Sequence, residues 1–560
     1  MPRIDTGFFS YATLAVRFVL PVLAIIIIVR CVRSLLRKRG KSETWGYFSL
    51  PNGARIELNH WENVIGRAKT SDAYMEYPTL SRNHAAVIRD GKGKWRIYDT
   101  ESLTGVIING EKIDSNGGTL IKTGDIIELG GVKLVFIAED DYSKIMPSGM
   151  NSDLGKKHSP PVTLAFLMLF QILLGAQLCL SKGSELILTL PLAFLALIAL
   201  GWISYGISKA LRRHSFEIET LAFFLCTVGF SVIATGSQTE LARQVVLLVF
   251  GISLYFVLSW FLRNLDRVNK LRLAIGAAGL ILLAITVFFA PPISGARRWV
   301  FFGGVSFQPS EIVKIAFIFV GAATMDRLLK RHNLLLFIGF SAACVAALVL
   351  ITDFGSALIF FVAYLVIAFL RSGDFATILL SIGGAVFGGL MALQFWSHIA
   401  SRFATWGNAW DYDNMHNSGY QQTRAMAAAA SGGLFGVGAG KGWFYTIRHA
   451  DTDVVFGIIS EELGLIVAVT AICAILTFAV FSVWTAGESR SSFYVIAACA
   501  ASSILVIQMI LNVFGSVDLL PFTGVTFPFV SKGGTSLVAC WGMLAFIKAA
   551  DTRQNTRFAL

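Results

Sequence analysis

Two patterns alternate along this 560-residue chain. The first is the long apolar run. Leu14 to Val29, Val245 to Leu262 and Ala357 to Leu370 approach or reach the roughly 20 residues that cross a hydrocarbon core as a helix. Lipid offers a backbone no hydrogen-bond partner, so such runs must satisfy themselves, and helices do so within one segment. The second pattern is confined to residues 45–138. There charged and turn-forming residues separate short alternating stretches such as Ala54 to Leu58, Trp95 to Tyr98 and Val132 to Ile137. A period of two predicts half-buried strands, and the segment reads as a soluble β domain of about a hundred residues.

Composition agrees: 55% of residues are hydrophobic and 15% charged, a surplus that needs lipid to face. The formal net charge of +12 could suggest a nucleic-acid binder, but the basic residues fall in short clusters between apolar runs, and no nucleic-acid partner is expected. Topology explains them better. Arg30, Arg33, Arg37, Lys38, Arg39 and Lys41 follow the first run with no small-residue cleavage site, which predicts an anchor over residues 1–40 whose C-terminal side is cytoplasmic. The β domain then occupies 41–140, a polar linker 141–160, and the main membrane part 161–560, with about twelve further spans.

Basic clusters at Lys156/Lys157, Lys209/Arg212/Arg213, Arg263/Arg267/Lys270/Arg272, Arg327/Lys330/Arg331 and Arg553/Arg557 are separated by even numbers of spans, so both ends of the membrane part are expected in the cytoplasm. The same parity puts 291–310, 396–453 and 515–535 on the outer face. The stretch 396–453 is too long for a simple connector. Seven cysteines (Cys31, Cys179, Cys226, Cys344, Cys473, Cys499, Cys540) lie singly in or beside apolar runs and read as packing residues.

In the β segment, Gly66-Arg67, Ser81-Arg82-Asn83-His84, Thr104-Gly105 and Asn109-Gly110 occur in an order that resembles the forkhead-associated (FHA) domain. The resemblance implies an all-β sandwich whose end loops bind a phosphothreonine peptide, with Arg67 and Ser81 on the phosphate, Thr104 beside it, and Asn109 on the peptide backbone. A guanidinium and a hydroxyl suit a phosphate dianion. His84 reads as a brace for the loop. The implied partner is a Thr-phosphorylated protein or a Ser/Thr kinase; a docking-only FHA fold is the alternative.

Ionisable residues inside apolar runs are costly and point to function: Glu311, Lys314, Asp353, Asp453, Glu461 and Glu462. They lie in ordered strings: Gly295-Ala296-Arg297-Arg298-Trp299, Gln308-Pro309-Ser310-Glu311 with Lys314, Asp353-Phe354-Gly355, Gly419-Tyr420-Gln421, Gly432-Gly433 with Gly436-Val437-Gly438, Thr452-Asp453 with Glu461-Glu462-Leu463-Gly464, and Pro528-Phe529 with Ser531 and Gly533-Gly534. Together they resemble the SEDS family (shape, elongation, division and sporulation) of FtsW, RodA and SpoVE. The resemblance implies an all-α polytopic bundle that polymerises the lipid-linked disaccharide-pentapeptide lipid II outside the plasma membrane, with a class B penicillin-binding protein as transpeptidase partner and a divalent cation, Mg²⁺ or Mn²⁺, as cofactor.

Joining a sugar hydroxyl to an anomeric carbon with loss of a lipid pyrophosphate needs a base and positive charge. Asp453 stands where the family's catalytic aspartate is expected; the alternative is a helix N-cap ahead of Val454 to Ile459. Arg297, Arg298, Arg402 and Arg424 suit the pyrophosphate or, alternatively, snorkel to headgroups. Glu311 and Lys314, three apart, form a substrate-binding or structural ion pair. Trp299, Trp406 and Trp410 read first as interface anchors. Gly432, Gly433, Gly436, Gly438 and Gly440 look like a phosphate cradle, but with no preceding strand they fit close packing or a bend better. No carboxylate cage for a metal is visible beyond the weak pair Asp451 and Asp453. Arg448-His449-Ala450-Asp451-Thr452-Asp453 departs from the family's Pro-Glu-x-His-Thr-Asp, and Lys532 replaces a Tyr. A lipid II flippase and a non-catalytic cell-division or cell-shape scaffold are the alternatives.

Overall fold

The computed structural model describes residues 6–36, 44–69, 71–90, 93–113, 118–139, 160–211, 213, 215–292, 297–302, 305–325, 331–372, 375–395, 397–486, 489 and 491–551. The linker from 141 to 159, the basic residues at 37–41, 156–157, 212, 327, 330, 553 and 557, and Gly295-Ala296 lie outside the described residues.

Helix α1 (Thr6–Leu35) leads into eleven short strands: β1 (Gly46–Ser49), β2 (Arg55–Leu58), β3 (Glu62–Gly66), β4 (Ala73–Tyr74), β5 (Ala85–Arg89), β6 (Trp95–Asp99), β7 (Val106–Ile108), β8 (Glu111–Lys112), β9 (Thr119–Ile121), β10 (Ile126–Leu129) and β11 (Val132–Ala138). They form two sheets, β2-β1-β11-β10-β7-β8 and β4-β3-β5-β6-β9. Alternate residues point inward. Phe48, Leu134, Phe136 and Ile127 from the first sheet are fully buried with Ile65, Val87 and Ile97 from the second. Trp95 stacks edge-on against Phe136 across the sheets at 5.5 Å. The domain is the expected all-β sandwich.

The membrane part contains α2 (Pro160–Lys182), α3 (Thr189–Ala210), α4 (Glu217–Gly236), α5 (Glu240–Phe261), α6 (Leu265–Phe289), α7 (Pro309–Met325), α8 (Arg331–Leu350), α9 (Phe354–Ser372), α10 (Phe375–Phe395), the shorter α11 (Ser397–Thr405), α12 (Tyr412–His416), α13 (Tyr420–Gly432) and α14 (Val455–Glu462), then α15 (Leu465–Ala486), α16 (Ser492–Ser516) and α17 (Gly534–Ala549). A small hairpin of β12 (Val300–Phe302) and β13 (Val305–Phe307) precedes α7. Among the described residues ten helices, α1 included, are long and apolar enough to span a bilayer, and α17 is a shorter apolar helix.

Helix α4 is buried on every side. Its Gly229 lies so close to the 527–531 turn that a Cβ there would come within 2.5 Å of the Val530 carbonyl oxygen. α1 packs on α2 and α15, so the anchor is part of the bundle and not a separate tether. One end of the bundle is locked by a buried ion cluster. Lys548 on α17 donates to the Ser215 carbonyl (2.7 Å) and pairs with Glu219 (3.1 Å), while the Tyr255 hydroxyl also donates to Glu219. Charges this deep persist only when paired and hydrogen-bonded. The cysteines are reduced and buried or partly buried, as packing residues should be.

Candidate active site

The three segments expected on the outer face converge at one end of the bundle. Arg298 follows α6, Arg402 lies on α11, Asp453 precedes α14, and the extended stretch after α16 supplies Thr523 and Gly524. Arg298 Nε lies 3.6 Å from Asp353, and Arg402 donates to the Thr523 carbonyl at 3.3 Å. A Cβ on Gly524 would sit 3.3 Å from Asp453 Oδ2, so this left-handed glycine (φ +64°) keeps the approach to the carboxylate open.

The loop carrying Asp453 is fixed by its backbone. Thr452 and Asp453 N–H groups both donate to the His449 carbonyl, and His449 itself adopts a left-handed φ of 60°. Asn512 near the end of α16 donates to the carbonyls of Asp453 (2.9 Å) and Val525 (2.8 Å), and Ser531 Oγ donates to that of Thr452 (2.6 Å). The Asp453 side chain stays available. The N-cap of α14 is Val454, with no side-chain capping bond, so the capping alternative fails. Asp453 enters no ion pair among the described residues. Burial raises its carboxyl above the ordinary aspartate range, against the opposing pull of the Thr452 hydrogen bond and of His449, Arg298 and Arg402. Burial and the nearby Arg298 depress Arg402, while Asp453 and Asp353 hold it charged.

The other candidates divide. Arg298 and Arg402 face Asp453, whereas Arg297 is exposed and donates to the Val287 carbonyl at 3.4 Å. Arg424 stacks on Tyr420 (4.5 Å) and donates to the Met415 carbonyl, bracing the turn from α12 into α13. Glu311 and Lys314 form a 2.7 Å pair and are 4% and 0% exposed, enclosed in the bundle. Asp353, singled out in the sequence only as an ionisable residue, joins the site through Arg298, Ser356 and Gln308. Asn512 carried no sequence signal, because a polar residue on an apolar helix is ambiguous until its partner is seen, and Ser531 stood out only as part of a family-like string, with no role. Trp406 donates to the Leu519 carbonyl, tying α11 to the same stretch, and Trp410 is exposed.

The donor set does not make a divalent-cation cage. Asp451 is taken by Lys532 (3.3 Å), which accounts for the lysine in place of the expected tyrosine, and Asp453 faces cationic groups. Among the described residues no cluster of three or more His, Cys, Asp or Glu could hold a metal.

The glycine-rich segment after α13 is a cradle, and the protein fills it with its own carboxylates. Glu461 accepts the N–H groups of Trp443 and Phe444, each at 3.0 Å; Glu462 accepts that of Gly440 (2.9 Å) and the Thr235 hydroxyl (2.9 Å). A Cβ on Gly432 or Gly436 would strike the carbonyl oxygen of Ser460 or Glu462 at 2.1 and 2.2 Å, so close packing is the reason for the glycines.

In the sandwich, Arg67 is exposed just after β3, and its N–H donates to the Ser81 carbonyl (3.1 Å). Ser81 Oγ accepts from the Leu103 N–H (3.1 Å), which brings Thr104 alongside. Buried His84 braces these loops through Nδ1, which accepts the Ser81 N–H, and Nε2, 3.1 Å from the Gly105 carbonyl. Asn109 lies beyond β7, its side chain bonded to Asp125 and the Ile126 N–H.

Comparison with known proteins agrees with both halves. The FHA domain model matches residues 63–130, and the FtsW/RodA/SpoVE cell cycle protein model matches 218–556. The chain is 29% identical over 325 residues to the peptidoglycan glycosyltransferase RodA of Mycobacterium tuberculosis (strain ATCC 25618 / H37Rv), covering 54% of this chain and 69% of that one. It is also 29% identical over 377 residues to the probable peptidoglycan glycosyltransferase FtsW of Pseudomonas fluorescens (strain SBW25), covering 62% and 90%. A chain from a solved peptidoglycan synthase complex superposes with a TM-score of 0.52 at 23% identity, over 60% of this chain and 98% of that one, which shows the shared fold. With its matched region spanning the bundle from α4 to beyond α17, this chain belongs to the FtsW/RodA/SpoVE family and carries an FHA domain ahead of the family's membrane core.

Proposed function

We propose that this protein is a peptidoglycan glycosyltransferase that polymerises lipid II at the outer face of the plasma membrane. The observation that carries the reading is an unpaired, partly buried Asp453 facing Arg298 and Arg402 at one end of a spanning bundle. Asp453 takes the proton from the acceptor sugar hydroxyl as its oxygen bonds to the donor's anomeric carbon. The bond from that carbon to the lipid pyrophosphate breaks, and the leaving charge is met by the two guanidiniums. The names of the glycosyltransferase relatives support this chemistry. A divalent cation would find Asp453 as its one available carboxylate here and would draw its other ligands from the substrate, so no step is assigned to it.

The FHA domain, at the opposite end of the bundle, is then cytoplasmic and binds a Thr-phosphorylated protein or Ser/Thr kinase through Arg67, Ser81 and Thr104. A class B penicillin-binding protein is the proposed transpeptidase partner, in line with the synthase complex that shares the fold. Purified protein with fluorescent lipid II and Mg²⁺ or Mn²⁺, with and without such a partner, should yield glycan ladders that Asp453→Asn abolishes. Movement of lipid II across vesicles without ladders would replace this reading with a flippase.

A further inference from the structure

We propose that the FHA domain is mechanically coupled to the catalytic loop through helix α16, which Glu62 grips at one end and Asn512 clamps at the other. The inference rests on Asp453 being the catalytic residue. Glu62 opens strand β3, and its carboxylate accepts hydrogen bonds from the Ser491 hydroxyl (3.0 Å) and from that of Ser492. Ser491 is the N-cap of α16, its Oγ accepting the Phe493 N–H. Neighbouring His60 donates through Nδ1 to the Ser489 carbonyl at 2.6 Å. A carboxylate at this position also meets the positive end of the helix dipole.

From Ser492 to Asn512 the helix rises about 30 Å, a full hydrocarbon thickness. Asn512 is 1% exposed, and its amide holds the Asp453 and Val525 carbonyls together. Most of α16 is buried in the bundle, so it moves as one rod. At the near end, β3 runs five residues from Glu62 to Gly66, and Arg67 of the phosphate loop follows directly. Two rigid elements in series therefore join the phosphopeptide loops to Asp453, and the docked FHA domain holds the rod in the register that positions the base.

Sites this far apart with no shared partner ordinarily act additively. The test uses full-length protein in lipid nanodiscs with Glu62→Ala, Asn512→Ala and the double variant. Glu62→Ala should accelerate amide hydrogen exchange in 451–455 and 525–531 and lower kcat about fivefold with KM unchanged, at the low end of measured couplings between sites. It should add nothing in the Asn512→Ala background. Ser491→Ala/Ser492→Ala, made from the other side of the contact, should reproduce the exchange effect, and Glu62→Gln, which keeps an acceptor oxygen, should largely restore it. Wild-type exchange in 451–455 for Glu62→Ala, or effects that simply multiply, would overturn the coupling. Loss of polymerisation in every sample, wild type included, would overturn the glycosyltransferase reading, while the exchange data would still decide the coupling.

Discussion

Asp453→Asn separates two roles for one carboxylate, because a helix cap would be kept by Asn with stability almost unchanged, whereas a buried base would gain stability on losing its charge. If it were a cap, only an Ala in its place would cost about 1 kcal/mol. In the structure it caps nothing, and burial is the leading influence on it, raising its pKa. Each unit of such a rise corresponds to about 1.36 kcal/mol against the ionised form. The folded protein thus holds the proton more tightly than the unfolded chain does. The stability linked to that proton is complete below the ordinary aspartate range and is lost as pH rises through the raised value. Removing the charge also takes a favourable neighbour from Arg298 and Arg402, but Arg298 keeps Asp353 and Arg402 keeps the Thr523 carbonyl. The Asn variant should therefore be more stable than wild type at neutral pH, with the gap closing in acid. Its turnover should fall about 10²- to 10⁴-fold, as for loss of a general base. Thermal unfolding in detergent between about pH 4 and pH 8, with lipid II polymerisation on the same samples, reads both. A variant less stable than wild type at every pH, or one within tenfold of its turnover, would refute the assignment.

Arg298→Ala should lower kcat about 10²-fold, the scale of losing one transition-state charge partner, and Arg297→Ala far less, since its side chain points to the Val287 carbonyl; equal effects would mean that the pyrophosphate reaches both. Gly436→Ala should yield no monodisperse protein on gel filtration, because its Cβ would meet the Glu462 carbonyl at 2.2 Å on a backbone at φ +79°. Lys532→Tyr breaks an ion pair about one-third exposed on each side, so unfolding should show a loss of no more than about 1 kcal/mol. Arg67→Ala, at an exposed position, should weaken a phosphothreonine peptide at least tenfold by fluorescence anisotropy while circular dichroism stays unchanged.

The membrane bundle and the sandwich were legible in sequence because each rests on a local signal, apolar length and period-two alternation, and the ionisable residues inside apolar runs included Asp353 and Asp453 of the candidate site beside others that are structural pairs. What escaped rests on contacts across the chain. Nothing near Asn512 in sequence says that its amide will bridge two carbonyls, one of them 59 residues away. Glu62 and Ser491 are 429 residues apart, and the pattern of neither hints at the other. The glycine segment was ambiguous for a related reason. Backbone N–H groups in a bent glycine-rich chain form an anion cradle whatever the anion, and only the fold shows that Glu461 and Glu462 arrive to fill it.

That filling gives a criterion for which buried acid does chemistry. Glu219 meets Lys548, Glu311 meets Lys314, Asp353 meets Arg298, and Glu461 and Glu462 are held by backbone N–H groups. Glu219, Glu311, Asp353 and Glu461 have their charge answered within hydrogen-bond or ion-pair distance, as an acid in a low-dielectric interior must if its role is structural; burial pushes Glu462 up to about 7, but it stays enclosed in the cradle at 2% exposure. Asp453 has one hydroxyl neighbour and two arginines acting from beyond ion-pair distance, and a glycine keeps the approach to its carboxylate clear. An acid left in that condition destabilises the fold, and the fold nevertheless fixes its backbone from three sides through His449, Asn512 and Ser531. Precise placement of an incompletely satisfied charge is what a general base requires and what a packing residue would avoid.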